Sequence, residues 1–177
     1  QSNKQEIEEF VAISESVKHL KKVIHKIAPT EEPVLITGET GTGKELIARA
    51  LHTHSDRSKA PFIAVNMACL SGELVASELF GHVQGAFTGA YKNKKGLFKE
   101  VREGTLFLDE VAELPLEHQA KLLRVIEQRE IRAIGSSHID LFKGRLVAAT
   151  HKNLQQEVAQ GKFREDVLAR WDGQCAV

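Results

Sequence analysis

In the segment Val34-Leu35-Ile36-Thr37-Gly38-Glu39-Thr40-Gly41-Thr42-Gly43-Lys44, a short apolar run leads directly into a glycine-rich loop, and residues 45–54 continue as a helical stretch. Closely spaced glycines let consecutive backbone N–H groups curl around an anion. A lysine can then reach the outer phosphates, and the helix N-terminus adds a partial positive charge. The order strand, loop, helix therefore predicts a phosphate-binding loop at residues 38–44. A turn that binds nothing is the alternative, and it is disfavoured because strand and helix are in register with the glycines.

The same alternation of apolar runs and helical segments continues along the chain. Strands are predicted at residues 62–66, 104–109 and 145–150, and helices at residues 13–27, 70–80 and 116–128. The strand segments are continuously apolar, which is typical of strands covered on both faces by helices. We therefore expect an α/β fold with a parallel sheet between helical layers, and long surface loops only at residues 92–95 and 135–144.

Composition excludes several classes of protein. The 177 residues include 24 Lys and Arg and 24 Asp and Glu, so the chain lacks the positive excess of a free nucleic-acid-binding module. No apolar run approaches the roughly 18 residues that a membrane span needs. Cys69 and Cys175 are far apart, so neither a disulfide framework nor a zinc module is predicted, and His52 and His54 have no third ligand beside them. A reducing, cytoplasmic compartment fits, and both histidines are expected at the surface.

Two adjacent carboxylates follow a predicted strand, in Leu106-Phe107-Leu108-Asp109-Glu110. Parallel sheets place their ligands at the carboxyl ends of their strands. Asp109 can hold Mg²⁺, directly or through water, and Glu110 can orient or deprotonate a water molecule. The alternative is that both acids cap the next turn. The phosphate loop favours hydrolysis, although Glu45 stands where the general pattern has a Ser or Thr ligand for Mg²⁺.

Four motifs resemble one family closely, the AAA+ central domain of bacterial sigma-54-dependent transcriptional activators. They are Gly-Glu-Thr-Gly-Thr-Gly-Lys-Glu (residues 38–45), Ser-Glu-Leu-Phe-Gly-His (77–82), Gly-Ala-Phe-Thr-Gly-Ala (85–90) and Gly-Thr-Leu-Phe-Leu-Asp-Glu (104–110). The third is nearly exclusive to this family. The resemblance implies an α/β P-loop NTPase fold of AAA+ type. Residues 1–12 are then a tag remnant and lead-in, and residues 13–177 the nucleotide-binding subdomain, with the helical lid outside the chain.

The resemblance also implies ATP and Mg²⁺ as cofactors and ATP hydrolysis as the activity. The nucleotide-binding residues would be Gly38, Glu39, Thr40, Gly41, Thr42, Gly43, Lys44 and Glu45. The catalytic residues would be Asp109, Glu110, Asn66, Thr150, Arg164 and Arg170, with Asp109 as the metal ligand. Asn66 would bond the catalytic glutamate and switch its position, and Thr150 would sense the terminal phosphate. Without the family, Asn66 is better explained as a turn former.

Several of these positions have a second explanation. His151 follows Thr150 where relatives usually carry Asn, and it is either a hydrogen-bond donor or an uninvolved loop histidine. Arg164 and Arg170 match the family's arginine fingers, which a neighbouring subunit supplies. From the charge pattern alone, pairing with Glu165 or Asp166 in the same chain is the better explanation. Trp171-Asp172 follows where relatives usually carry Leu-Asn.

The family's partner-binding loop corresponds to Gly85, Ala86, Phe87, Thr88, Gly89 and Ala90. Glycines on both sides make the loop mobile, and an exposed aromatic tip has to contact something. The resemblance assigns Phe87 and Thr88 to contact with the sigma-54 factor. The alternative is that Phe87 anchors a surface loop in the core.

Together these features predict an ATP-hydrolysing motor core that assembles into a ring, a hexamer in the full protein, and remodels the closed sigma-54 RNA polymerase promoter complex. The resemblance implies a bacterial cytoplasmic protein of a two-component system, with DNA contacted only through a module outside this chain and no membrane partner. Two alternatives remain. One is a nucleotide-binding docking module without hydrolysis, and the other is an AAA+ machine acting on a different client.

Overall fold

The computed structural model of the chain describes residues 2–171, with side chains described for residues 15–72 and 74–171. Gln1, Asp172 and Cys175 lie outside the described residues, as does the side chain of Ile13. Within the described part of the chain, no helix combines the length and the apolar character that crossing a bilayer requires.

Helices and strands alternate along most of the chain. The helices are α1 (Ser2–Ile27), α2 (Lys44–Thr53), α3 (Gly72–Phe80), α4 (Leu97–Glu100), α5 (Leu116–Gln128), α6 (Leu154–Ala159) and α7 (Glu165–Ala169). The strands are β1 (Val34–Thr37), β2 (Phe62–Asn66), β3 (Gly81–His82), β4 (Lys94–Lys95), β5 (Thr105–Asp109), β6 (Glu130–Ile131), β7 (Asp140–Leu141) and β8 (Arg145–Thr150). Short 3₁₀ helices at Met67–Cys69 and Val111–Glu113 follow β2 and β5 directly.

The main sheet has four parallel strands in the order β1-β8-β5-β2, which confirms the predicted parallel α/β sheet. The register brings the carboxyl ends of all four strands to one edge. Thr37 lies opposite Thr150, and Asn66 lies opposite Asp109. The residues that follow these strands are therefore neighbours, although more than a hundred positions can separate them in sequence.

Two apolar cores cover the two faces of this sheet. In the middle of β5, Leu106 and Leu108 belong to the core that includes residues of α3 and α5. Phe107, between them, belongs to the core that includes residues of α1 and α2. The expected helical layers are therefore present on both sides. Coverage is incomplete only at β2, an edge strand of this sheet, where Ala64 and Asn66 are exposed.

Arg145 anchors the end of α1 to the sheet. Its side chain is 1% exposed, and its guanidinium donates to the carbonyl oxygens of Ala28 (2.8 Å), Ile27 (2.9 Å) and Glu32 (3.2 Å). Carbonyls in the last turn of a helix have no intrahelical partner, and this side chain satisfies the buried carbonyl of Ala28 there. The connection from α1 to β1 is thereby fixed, and with it the start of the glycine-rich loop.

Several predictions of local structure were wrong. Neither segment predicted as a long surface loop is free of regular structure. Residues 92–95 contain β4, which pairs antiparallel with β3, and residues 135–144 contain β7, which pairs with β6. The first helix begins at Ser2, well before the predicted residue 13, and the third begins at Gly72 rather than at residue 70.

His52 is buried rather than at the surface. Its Nδ1 lies 2.8 Å from the hydroxyl oxygen of Thr105, and its Nε2 lies 3.1 Å from the carbonyl oxygen of Ala60. His54 is exposed, as predicted, and so is the free thiol of Cys69.

Candidate functional site

The glycine-rich loop leaves the end of β1 and turns sharply into α2. The N–H of Gly38 donates to the carbonyl oxygen of Thr150 (3.2 Å), which fixes the start of the loop to β8. Gly41 and Gly43 have φ values of +84° and +82°, in the left-handed region that favours glycine. Between them, the hydroxyl of Thr42 donates to the carbonyl oxygen of Glu39 (2.7 Å). The loop is therefore curled as its sequence predicts.

Lys44 is the first residue of α2, and its side chain is only 7% exposed. Its ammonium group donates to the carbonyl oxygens of Gly38 (2.8 Å) and Glu39 (3.0 Å). The loop therefore encloses a positive charge together with the N-terminus of a helix. An anion of the size of a phosphate group is the ligand that such a combination favours.

Asp109 ends β5 at the same edge of the sheet. Burial raises the pKa of its carboxyl above the ordinary value, the charge of Glu110 raises it further, and the ammonium of Lys44 lowers it. A carboxylate that is partly buried beside another acid is stabilised by a nearby cation. Among the described residues, no group of three or more His, Cys, Asp or Glu side chains could hold a metal ion alone. The carboxylates of Asp109 and Glu110 fit Mg²⁺, which is usually bound by one or two carboxylates together with substrate phosphates and water.

Glu110 has an unusual backbone, with φ +54° and ψ +51°, a left-handed conformation that non-glycine residues adopt rarely. Its Oε2 lies 2.6 Å from Nδ1 of His151 and accepts a longer hydrogen bond from the His151 N–H (3.4 Å). The carboxylate is therefore directed across the sheet edge to the end of β8. It makes no side-chain capping bond to the 3₁₀ helix that follows, so the capping alternative is wrong for Glu110.

Lys152 and Glu113, each close in sequence to His151 and Glu110, form a second pair of side chains between the same two loops. The Lys152 ammonium forms an ion pair with Glu113 (2.5 Å), and the hydrogen bond to Glu113 raises the pKa of Lys152. Thr150 is fully buried, and its hydroxyl oxygen accepts from the N–H of Lys152 (3.1 Å). The loop after β8 is therefore held to the loop after β5 by two side-chain pairs, His151 with Glu110 and Lys152 with Glu113.

Asn66 makes no hydrogen bond to Glu110 in this arrangement, in contrast to the expected bond. Its side-chain oxygen accepts from the N–H of Ala68 (2.9 Å) and caps the 3₁₀ helix Met67–Cys69. The turn-forming alternative therefore describes Asn66, and the Glu110 carboxylate faces His151 instead. The sequence indicated His151 only as one of two alternatives, because its contact depends on which strands are neighbours in the sheet.

The two candidate finger arginines both lie near the C-terminal end of the described chain. Arg164 forms a bidentate pair with Asp166 (2.9 and 2.7 Å), which is one of the two intramolecular partners considered from the sequence. Arg170 pairs with Glu127 of α5 rather than with Glu165 or Asp166. Trp171 is 2% exposed and stacks on the ring of Phe163, so it packs in the core directly behind the arginines.

The loop at residues 85–90 projects from β3. Gly85 and Gly89 have φ values of +81° and +100°, and the N–H of Gly85 donates to the carbonyl oxygen of Ala90 (2.8 Å) to close the loop. Phe87 is 42% exposed, so the alternative in which it anchors the loop in the core is wrong. Its ring does contact His82, at a centroid distance of 4.9 Å.

A phosphate loop with an enclosed lysine and an acidic pair, both at the carboxyl edge of a parallel sheet, define a P-loop NTPase fold. The chain belongs to the sigma-54 interaction domain family, whose profile matches residues 10–173.

The matched relatives are named as transcriptional regulators. The chain is 54% identical over 145 residues to the regulatory protein AtoC of Escherichia coli K12, which covers 82% of this chain and 32% of that protein. It is 46% identical over 162 residues to the DNA-binding transcriptional regulator NtrC of the same organism, covering 92% of this chain and 34% of NtrC. The chain thus spans about a third of the length of these relatives.

Solved structures share the fold. NtrX from Brucella abortus in complex with ATP superposes with a TM-score of 0.82 at 36% identity, over 91% of this chain and 35% of that one. The P-loop NTPase domain of a sigma-54 transport activator from E. coli superposes with a TM-score of 0.62 at 20% identity, over 92% of this chain and 94% of that one. The second likeness supports the fold alone.

Proposed function

We propose that this chain is the ATP-hydrolysing motor core of a sigma-54-dependent transcriptional activator. The observation that supports this most directly is the position of Lys44. Its ammonium group lies inside the glycine-rich loop, and its charge lowers the pKa of Asp109. Nucleotide complexes of NtrX, whose fold this chain shares, support the same ligand. The family to which the chain belongs supports sigma-54 as the partner.

In this proposal the loop residues bind the triphosphate. Backbone N–H groups of residues 38–45 and the Lys44 ammonium contact phosphate oxygens, for which Lys44 exchanges its bonds to Gly38 and Glu39. Asp109 would hold Mg²⁺, which neutralises charge on the phosphates when it is bound. Glu110 orients a water molecule and accepts its proton, and His151 holds the Glu110 carboxylate at a fixed position.

Assembly and partner contact complete the proposal. In a ring, hexameric in the full protein, Arg164 and Arg170 of one subunit would face the nucleotide of the next, where a guanidinium offsets charge on the transferred phosphoryl group. Hydrolysis would move the loop at residues 85–90 and place Phe87 against sigma-54. Thr150 would sense the terminal phosphate from the end of β8, for which its hydroxyl, buried here against the N–H of Lys152, has to become accessible.

A docking module that binds nucleotide without hydrolysing it is the second candidate. One observation favours it, since Arg164 and Arg170 are each paired with an acid of their own chain.

Turnover by the full-length protein separates the two candidates. We expect Lys44→Ala to abolish ATP binding, and Glu110→Gln to retain binding while lowering kcat by about 10²- to 10⁴-fold, as for loss of a general base. Glu117→Gln, on the exposed surface of α5, is the matched acid control. Binding of ATP by the wild-type protein without any turnover would establish the docking module instead.

Capture of sigma-54 tests the partner. With a transition-state analogue of ATP bound, the wild-type protein is expected to retain sigma-54 and Phe87→Ala to lose it. Tyr91→Ala is the matched control, because Tyr91 is an exposed aromatic residue directly beside the loop. Equal loss with both variants would indicate an unspecific aromatic contact, and retention by Phe87→Ala would exclude Phe87 as the contact. Failure of the wild-type protein itself to retain sigma-54 would favour a different client.

A further inference from the structure

His82 lies between helix α3 and the loop at residues 85–90, and it contacts both. Its Nδ1 shares a hydrogen bond of 2.6 Å with the hydroxyl of Ser77, and Ser77 is only 3% exposed. A short hydrogen bond to a buried partner holds the imidazole ring in one orientation. The ring is therefore fixed from the side of α3.

The same imidazole ring also contacts Phe87. The ring centroids are 4.9 Å apart and the planes are inclined by 75°, an edge-to-face arrangement. Such contacts are attractive because the edge of one ring carries positive charge and the face of the other carries negative charge, and they shift an equilibrium by about two- to tenfold. Ser77, His82 and Phe87 thus form a chain of contacts, which we call the Ser77–His82–Phe87 contact chain.

The backbone is fixed at His82. Gly81 and His82 pair with β4 on one side, and the 81–83 segment exchanges hydrogen bonds with Ile134 on the other (2.9 and 3.1 Å). A Cβ atom at Gly81 would approach the carbonyl oxygen of Lys94 to 2.4 Å, so this segment is tightly packed.

Gly85 and Gly89 themselves are free of such packing, whereas Ala86 lies against Gly135 and Ala90 is buried. Gly85 and Gly89 both have positive φ, and a Cβ built at either position meets no atom within 4 Å. Movement of the Phe87 ring is therefore expected at these two glycines, while His82 and the packed ends of the loop stay in place. The Phe87 ring lies on His82 in this structure, and its release requires such a movement.

We propose that His82, oriented by Ser77, is a positioning residue that holds the Phe87 ring against the domain and so sets the fraction of loops whose ring is free to contact sigma-54. The part that concerns sigma-54 rests on the function proposed above. The part of the Phe87 ring that contacts His82 is not available to a partner, and apparent affinity falls in proportion to the competent fraction. Removal of the imidazole is therefore expected to increase both loop opening and partner capture.

Hydrogen exchange of the loop amides in the full-length protein tests the holding contact without any partner. The N–H groups of Gly85 and Ala90 are hydrogen-bonded within the loop, so their exchange reports its opening. We expect His82→Ala to speed their exchange about two- to tenfold. His82→Phe, which keeps a ring but not the bond to Ser77, is expected to restore most of the protection, and Ser77→Ala to give an intermediate value. His138→Ala, on a neighbouring exposed loop, is the matched control.

A double-mutant cycle distinguishes loss of the His82–Phe87 contact from general disruption of the fold. Phe87→Leu removes the other ring, so it is expected to match His82→Ala, and the double variant is expected to add nothing further. Unchanged exchange in His82→Ala, or fully additive effects in the cycle, would overturn the proposal.

Capture of sigma-54 without nucleotide then tests the consequence. His82→Ala is expected to raise capture about two- to tenfold, and faster exchange with unchanged capture would overturn the link to partner access. If exchange rises as expected but neither wild type nor variant binds sigma-54 under any nucleotide condition, the proposed function fails while the holding contact stands.

Discussion

Nδ1 of His151 lies 2.6 Å from Oε2 of Glu110, and this contact joins the ends of two adjacent central strands, β8 and β5. The same two strand ends are joined again by Lys152 and Glu113. Because Glu110 also has a left-handed backbone, its side-chain direction is determined both by its own φ and ψ and by a partner on another strand. The candidate base is therefore held rigidly, as positioning for catalysis requires.

Substitution of His151 is expected to affect turnover more than ATP binding. Loss of a charge-assisted hydrogen bond frees the Glu110 carboxylate, so we expect His151→Ala to lower kcat about tenfold and to leave KM for ATP within about twofold. His151→Asn, which can still donate a hydrogen bond, is expected to recover part of the rate. Steady-state ATPase kinetics of the full-length protein measure both constants. A raised KM at unchanged kcat would show that His151 contacts the nucleotide instead.

Asp109 is expected to lower the stability of the domain at neutral pH. Its pKa is raised in the folded state, mainly by burial, so the folded state loses stability as the pH rises above the ordinary value of 3.8, and the loss is complete once the pH exceeds the folded pKa. Asp109→Asn is therefore expected to be more stable than wild type at pH 7. The difference should shrink as the pH falls through the folded pKa and vanish below the ordinary value of 3.8. Urea unfolding of both proteins across this range measures it, and an Asn variant that is less stable at pH 7 would contradict the sign.

Arg145 is expected to be essential for stability although it lies far from the acid pair. Arg145→Met would remove the donor that the carbonyl oxygens of Ala28, Ile27 and Glu32 share and would leave the carbonyl of Ala28, which is buried, without it, and we expect a loss of about 3 kcal/mol in the free energy of unfolding. Arg124→Met, on the exposed side of α5, is the control and should change stability by less than about 0.5 kcal/mol. Equal effects of the two substitutions in chemical denaturation would exclude this anchoring role.

Gly81 and Gly161 allow a matched test of close packing. Both have positive φ, +77° and +71°, so alanine is strained at either position. At Gly81 the new Cβ would also meet the carbonyl oxygen of Lys94 at 2.4 Å, whereas at Gly161 it would meet nothing within 4 Å. We expect Gly161→Ala to cost about 1 kcal/mol and Gly81→Ala about 3 kcal/mol or more in thermal or urea unfolding. A similar cost at both sites would mean that the β3–β4 segment can shift.

The sequence predicted the main sheet well because its strands are buried on both faces. Continuous apolar runs located β1, β2 and β8 at their observed bounds, and helical spacing did the same for α5. The glycine-rich loop was also predictable, since its glycines are required by local backbone conformation at Gly41 and Gly43. These features depend on residues that are close together in the chain.

Features that depend on residues far apart in the sequence could not be predicted from local patterns. The burial of His52 follows from its bond to Thr105, and the partner of Glu110 follows from the sheet order that brings β8 beside β5. β4 and β7 contain two residues each, too few for a periodic pattern, and they form only because β3 and β6 lie beside them. Asn66 could be assigned to a cap or to a catalytic contact from its position alone, and the direction of its side chain decided between them.

The five residues of β5, Thr105–Asp109, contribute both to the two apolar cores and to the acid pair. Leu106 and Leu108 fill one core, Phe107 fills the other, and the next residue is Asp109. A truncation anywhere in the middle of β5 therefore opens a cavity directly behind the acid pair, on one side of the sheet or on the other. Stability and turnover cannot be tuned independently through this strand, so engineering of the domain for robustness should begin at surface helices and leave β5 unaltered.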